Sequence, residues 1–155
     1  MKKLVFLLDV DGVMTTGQFL YSQNGKGCKI FGPHDNDGLK LLKDKVTIKF
    51  ITADERGFKI TSKRIVDHLG FDLELVSELD RFKYIKEKYG FQNLIYMGDG
   101  YHDAEIIKES MFGIAPNNAR REAKDAADYI TESKAGEGAV LDACLKIIDE
   151  YFMGD

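Results

Sequence analysis

The segment Asp9-Val10-Asp11-Gly12-Val13 follows directly on an apolar run, residues 4–8. On a strand, residues i and i+2 share a face, so Asp9 and Asp11 point to one side. Gly12 lets the backbone turn sharply and approach a ligand. Alone, such a motif reads equally well as an acidic turn that caps the next segment. Later apolar runs add to it. One ends in Thr52, and another in Gly98-Asp99-Gly100-Tyr101-His102-Asp103. A third leads into Asp80-Arg81-Phe82-Lys83, where the cation is either Arg81 or Lys83. Acids, a hydroxyl and a cation in this set suit phosphoryl transfer. A carboxylate can attack phosphorus and form an aspartyl-phosphate. Hard oxygen ligands recruit Mg²⁺, which offsets the repulsion between carboxylate and phosphate. A second acid protonates the leaving oxygen and later deprotonates water. Hydroxyl and cation hold the equatorial oxygens, where transition-state charge spreads.

The elements that must position these groups alternate along the chain. Apolar runs at 4–8, 46–51, 73–76, 94–97 and 112–115 are separated by helical patterns at 59–69, 81–89 and 103–110. This order predicts an α/β fold: a single Rossmann-like, doubly wound domain over 1–155 with a parallel central sheet. Ligands of such sheets bind beyond the carboxyl ends of the strands, which is where every group above falls. Val140, Leu141, Cys144, Ile147, Ile148, Tyr151 and Phe152 show the one-face spacing of a final helix. Residues 18–31 break the alternation. Phe-Leu-Tyr, then Asn24-Gly25-Lys26-Gly27, then Cys-Lys-Ile-Phe predict a β-hairpin insert after strand one, with its turn on the glycines. No stretch is long enough for a large cap domain.

Composition narrows the classes. Lys and Arg number 22 against 26 Asp and Glu, a net charge of −4 with no strongly basic segment. That argues against nucleic acid and anionic membrane as partners. The apolar start is ended by Asp9 after five residues, too short for a secretory or membrane segment, so the expected location is cytoplasmic. Cys28 and Cys144 are two lone cysteines, which predicts neither a disulfide framework nor a zinc site. His34, His68 and His102 lie far apart and show no paired ligand spacing.

The motif set resembles the haloacid dehalogenase superfamily. It is most similar to the small capless branch of 3-deoxy-octulosonate 8-phosphate and nonulosonate 9-phosphate phosphatases. Phe31-Gly-Pro-His-Asp-Asn-Asp-Gly38 resembles that branch's Phe-Asn-x-Arg-Asp-Gly-x-Gly, Phe50-Ile-Thr-Ala53 its Ile-Ile-Thr-Gly, and Ala135-Gly-Glu-Gly-Ala-Val140 its Gly-Gly-x-Gly-Ala-Val. The resemblance implies Asp9 as nucleophile and Asp11 as general acid/base. It implies Mg²⁺ held by the Asp9 carboxylate, the Asp11 carbonyl and Asp99, with Asp103 orienting the metal shell. Thr52 and a cation, Arg81 or Lys83, would bind the phosphoryl group. His34, Asp35, Asp37 and Ala53 would meet the substrate, a phosphorylated eight- or nine-carbon keto-deoxy sugar acid. A homotetramer joined through the hairpin is implied too. Three positions depart from the branch: Gly100 for an acid, His34 for arginine and Leu141 for arginine.

Other classes fit less well. A different small phosphorylated metabolite would use the same chemistry. A phosphoacceptor signalling domain would need its acceptor Asp after the third run, where Ser77-Glu78 stands instead. It would also leave Gly98-Asp99-x-x-x-Asp103 without a role, as would a catalytically silent assembly protein. A mutase would need a cap to exclude water.

Overall fold

The computed structural model describes residues 3–154. Strands β1 (Val5–Asp9), β4 (Thr47–Thr52), β5 (Asp72–Leu75), β6 (Leu94–Met97), β7 (Phe112–Ala115) and β8 (Tyr129–Ile130) form one sheet in the order β5-β4-β1-β6-β7-β8. All its pairings are parallel. The chain runs outward from β1 through β4 to β5, then returns to β1's other edge and continues through β6 to β8. The reversal lies between β1 and β6, where open α/β sheets bind ligands.

The sheet is covered on both faces, as its apolar strands require. Alternation along β1 sends Phe6 and Leu8 into one core and Leu7 into the other. On the first side pack α1 (Asp35–Leu42) and α6 (Ala139–Tyr151), which bury Leu39, Leu42, Val140, Ala143, Cys144 and Ile147. On the second lie α3 (Glu78–Lys88), α4 (Ala104–Glu109) and α5 (Arg121–Ala126), through Ile85, Ile106, Ile107 and Ala123. Gly38 lets α1 and α6 touch, since a Cβ there would lie 2.8 Å from the Leu141 Cα.

The expected hairpin is present as a separate antiparallel pair, β2 (Thr15–Ser22) and β3 (Gly25–Phe31). It is the one addition to the sheet-and-helix layers among the described residues, and no large cap is built. Its turn differs from expectation. The tight turn is Gln23-Asn24, and Gly25 already pairs with Ser22 at φ +102°. The next glycine, Gly27, takes up a bulge: Tyr21 faces Lys26 and Leu20 faces Cys28, so one extra residue stands on β3. The helical pattern at 59–69 also differs. A short α2 (Phe58–Ser62) opens into a π-helical turn over Lys63–His68, with Leu69 N–H donating to the Arg64 carbonyl at 3.0 Å. Strand β8, only two residues long, is too short to show in an apolar pattern. Among the described residues no helix is long and apolar enough to cross a membrane.

Candidate active site

The carboxyl ends of β1, β4 and β6 open into a cleft of about 630 Å³, whose lining includes Asp9, Asp11, Thr52, Ala53, Arg81, Asp99 and Asp103. Asp9 ends β1. Asp99 follows β6, β1's neighbour in the sheet. Gly12, at φ +79°, bends the chain away at the one place where a side chain would run into the Asp99 carboxylate. Carboxylate oxygens of Asp9, Asp99 and Asp103 lie within 4.8 Å of one another.

One cation serves this group. The Arg81 side chain is only 4% exposed, and its Nη1 lies 3.3 Å from Asp9 Oδ1 and 3.1 Å from Asp103 Oδ1. It also donates to the Tyr96 hydroxyl at 3.1 Å. Burial opposes its charge, but Tyr96, Asp9 and Asp103 more than restore it. Asp103 is the organiser. Its Oδ1 accepts from Arg81 and from the Tyr96 hydroxyl, and its Oδ2 accepts from the backbone N–H of Asp99 and Gly100 at 3.1 and 2.9 Å. Burial pushes Asp9 well above the usual carboxylate range; Arg81 pulls it down, and Asp103 and Asp99 push it further up. Burial, then Asp103, push Asp99 up to about 6. Asp9 and Asp99 therefore hold their charge at a cost, which a bound cation would remove.

A second network descends from the hairpin. Lys29 Nζ, on a fully buried side chain, lies 2.9 Å from Asp11 Oδ2 and 2.8 Å from Asp54 Oδ2. Lys26 also reaches Asp54 at 2.8 Å and stacks over the Phe19 ring at 3.9 Å. Asp54 N–H donates to Thr52 Oγ1 at 3.1 Å. Burial works against the Asp54 charge, yet bonds from Lys26, Lys29 and Gly57 bring its carboxyl down to about 2.

Several positions fall elsewhere than expected. Arg81, not Lys83, faces the cleft: Arg81 and Ile85 form the buried stripe of α3, and Lys83 points to solvent. The Asp11 carboxylate lies outside the acid cluster, turned to Lys29. His34, Asp35 and Asp37 do not line the cleft of this chain. His34 and Asp37 are exposed. Asp35 is buried and accepts from the N–H groups of Val140 and Leu141 at 3.0 and 3.4 Å, tying α1 to the start of α6. Sequence reasoning missed Lys26, Lys29, Asp54 and Tyr96. The bulge hid the two lysines, because regular alternation places residues 26 and 29 on opposite faces. One extra residue at Gly27 returns both to the same face.

Known proteins share this frame. A model of the haloacid dehalogenase-like hydrolase family matches residues 80–143. The 3-deoxy-D-manno-octulosonate 8-phosphate phosphatase of Haemophilus influenzae is 30% identical over 138 residues, covering 86% of this chain and 76% of the relative. The chain belongs to the haloacid dehalogenase-like hydrolases. It is a phosphatase of that family, and the Escherichia coli 3-deoxy-D-manno-octulosonate 8-phosphate phosphatase is similar to it at 28% identity over 90% of this chain and 76% of the relative. Among solved haloacid dehalogenase-like structures, the Moraxella catarrhalis 3-deoxy-D-manno-octulosonate 8-phosphate phosphatase is bound to magnesium, phosphate and KDO. It matches at TM-score 0.81 and 28% identity, over 95% of this chain and 86% of that one. The cobalt-bound form of the Haemophilus influenzae protein matches at TM-score 0.79 and 27% identity, over 95% of this chain and 88% of that one.

Proposed function

We propose that this phosphatase hydrolyses the terminal phosphate of an eight- or nine-carbon keto-deoxy sugar acid, with Mg²⁺, through an aspartyl-phosphate on Asp9. The carrying observation is Asp9 itself, at the switch point of the sheet with Asp99 and Asp103 oxygens within 4.8 Å and Arg81 Nη1 at 3.3 Å. The site fits a hard divalent cation: its donors are all oxygens, and Asp9 and Asp99 are both raised by burial and by Asp103. Asp9, Asp99 and the Asp11 carbonyl would hold it. Both Asp103 oxygens already accept from protein donors, which makes Asp103 the residue that orients the others. A Mg²⁺ ion held there would supply positive charge to offset the negative charge developing on the phosphoryl oxygens.

In the first step an Asp9 oxygen bonds to phosphorus, the bond from phosphorus to the leaving oxygen breaks, and Asp11 gives that oxygen its proton. In the second, Asp11 takes a proton from water. The water oxygen bonds to phosphorus, and the acyl phosphate releases the Asp9 carboxylate and inorganic phosphate. Thr52 and Arg81 hold the phosphoryl oxygens. The sugar-acid substrate is supported by the names and the bound KDO of the relatives. Residues 1–155 act as one cytoplasmic catalytic domain with the hairpin as its flap. The homotetramer is supported by the hairpin, a lone two-stranded sheet that exposes Phe19, Leu20, Tyr21 and Ile30. Turnover of a panel of phosphorylated metabolites tests the reading. The sugar-acid phosphates should give the highest kcat/KM, and a higher value for a short generic ester overturns the substrate assignment. Light scattering that shows only monomer at micromolar concentration overturns the tetramer.

A further inference from the structure

Asp11 lies in the loop after β1, yet both of its carboxylate oxygens are held by the hairpin. Thr15 Oγ1, at the start of β2, donates to Oδ1 at 3.4 Å, and Lys29 Nζ, on β3, donates to Oδ2 at 2.9 Å. The Lys29 side chain is fully buried, whereas that of Asp11 is 28% exposed and lines the cleft. Lys29 is itself fixed from below, by Thr61 Oγ1 at 2.7 Å and by Asp54 Oδ2 at 2.8 Å. Thr61 is wholly buried, and Asp54 is anchored by the Gly57 N–H at 3.0 Å. An ammonium with three fixed oxygen partners has little freedom, and it passes that fixity to the carboxylate. A carboxylate has about four acceptor sites, so one bond on each oxygen leaves room to meet a leaving group.

We infer that Lys29 is a positioning residue: from the hairpin it holds the Asp11 carboxylate toward the leaving oxygen. This rests on the proposed acid role of Asp11. The alternative is that Lys29 only pins the hairpin to the domain.

Leaving-group dependence separates the two. An alkyl phosphate needs a proton on its leaving oxygen in the first step, whereas p-nitrophenolate leaves well without one. The quantity to measure is kcat/KM, which reports the path up to the first irreversible step. Lys29→Met, near in length and uncharged, should lower kcat/KM for glucose 6-phosphate about 30-fold and that for p-nitrophenyl phosphate no more than about 3-fold, short of the roughly 100-fold or more expected when the general acid itself is removed. Asp11→Asn should show the same selectivity. Lys29→Met added to Asp11→Asn should cost less than about twofold more, because paired groups are non-additive. Thr61→Val removes a Lys29 anchor without touching charge and should give the same selectivity at smaller amplitude, which serves should Lys29→Met not fold. Equal losses on both esters for Lys29→Met or Thr61→Val, or full additivity with Asp11→Asn, overturn the inference. Selectivity in Asp11→Asn but not in the lysine variant overturns it alone. Its absence from Asp11→Asn itself overturns the acid role and the inference together.

Discussion

The cleft has two charged halves built on opposite accounts. At the sheet edge, three carboxylates face one guanidinium: Asp9, Asp99 and Asp103 against Arg81. Under the hairpin, two carboxylates face two ammoniums: Asp11 and Asp54 against Lys26 and Lys29. Burial operates in both, with opposite results. Asp99 rises to about 6, while Asp54 falls to about 2 because its donors outweigh desolvation. The first half is short of positive charge. The second is complete within the chain and serves to hold things still.

The hardest blow to this contrast would come from Asp9→Asn. We expect a folded protein whose turnover falls by roughly four orders of magnitude or more, since an amide cannot replace the nucleophile. Steady-state hydrolysis near the wild-type rate with Mg²⁺ present would end the mechanism. Next, Mg²⁺ at about a hundred times its Kd should add on the order of 2.7 kcal/mol to unfolding stability. Asp99→Asn should abolish most of that gain and Asp54→Asn should leave it, as read by thermal melts with and without chelator. Equal responses in the two variants would erase the distinction between the halves.

The pH response sharpens it further. Asp99's folded value is raised from 3.8 to about 6, so its protonated form favours the fold. That contribution is full below pH 4 and lost as pH rises through 6. Asp54's lowered value acts in the other direction, present above pH 4 and lost as pH falls through 2. In chelator, denaturant titrations should therefore show wild-type stability declining between pH 4 and 7 by on the order of 2 kcal/mol more than Asp99→Asn. Asp35 also titrates near 6 and is common to both proteins. Parallel curves would refute the assignment to Asp99. The smallest effect belongs to Lys83→Ala, which should stay within about twofold of wild-type kcat/KM, while Arg81→Ala loses on the order of a hundredfold. The reverse order would return the cation role to Lys83.

The order of apolar runs was enough to find the sheet and its ligand edge, because the central strands β1, β6 and β7, buried along nearly their whole length, leave an unbroken apolar trace. Asp9, Thr52 and Asp99 were legible for the same reason: each stands where such a trace ends. Arg81 and Lys83 could not be told apart until α3's buried stripe was known, since both follow Asp80 within one turn. Asp35 looked available because a polar loop before a helix does, and nothing local reveals that it would be claimed by backbone N–H groups at 140 and 141. The lysine network was hidden by a single bulge.

The placement of β1 between β4 and β6 also dictates when the protein can become an enzyme. Asp9 emerges from the ribosome well before its partner Asp99, which is ninety residues later in sequence and arrives with the strand that closes β1's second edge. Until that strand docks, a nascent chain carries an apolar β1 with one side unpaired, open to pairing with another chain. Docking of β6 and the loop through residue 103 therefore completes the acid pocket and covers β1's second edge in the same event. Damage to β6 should surface as insoluble protein before it surfaces as a slow enzyme.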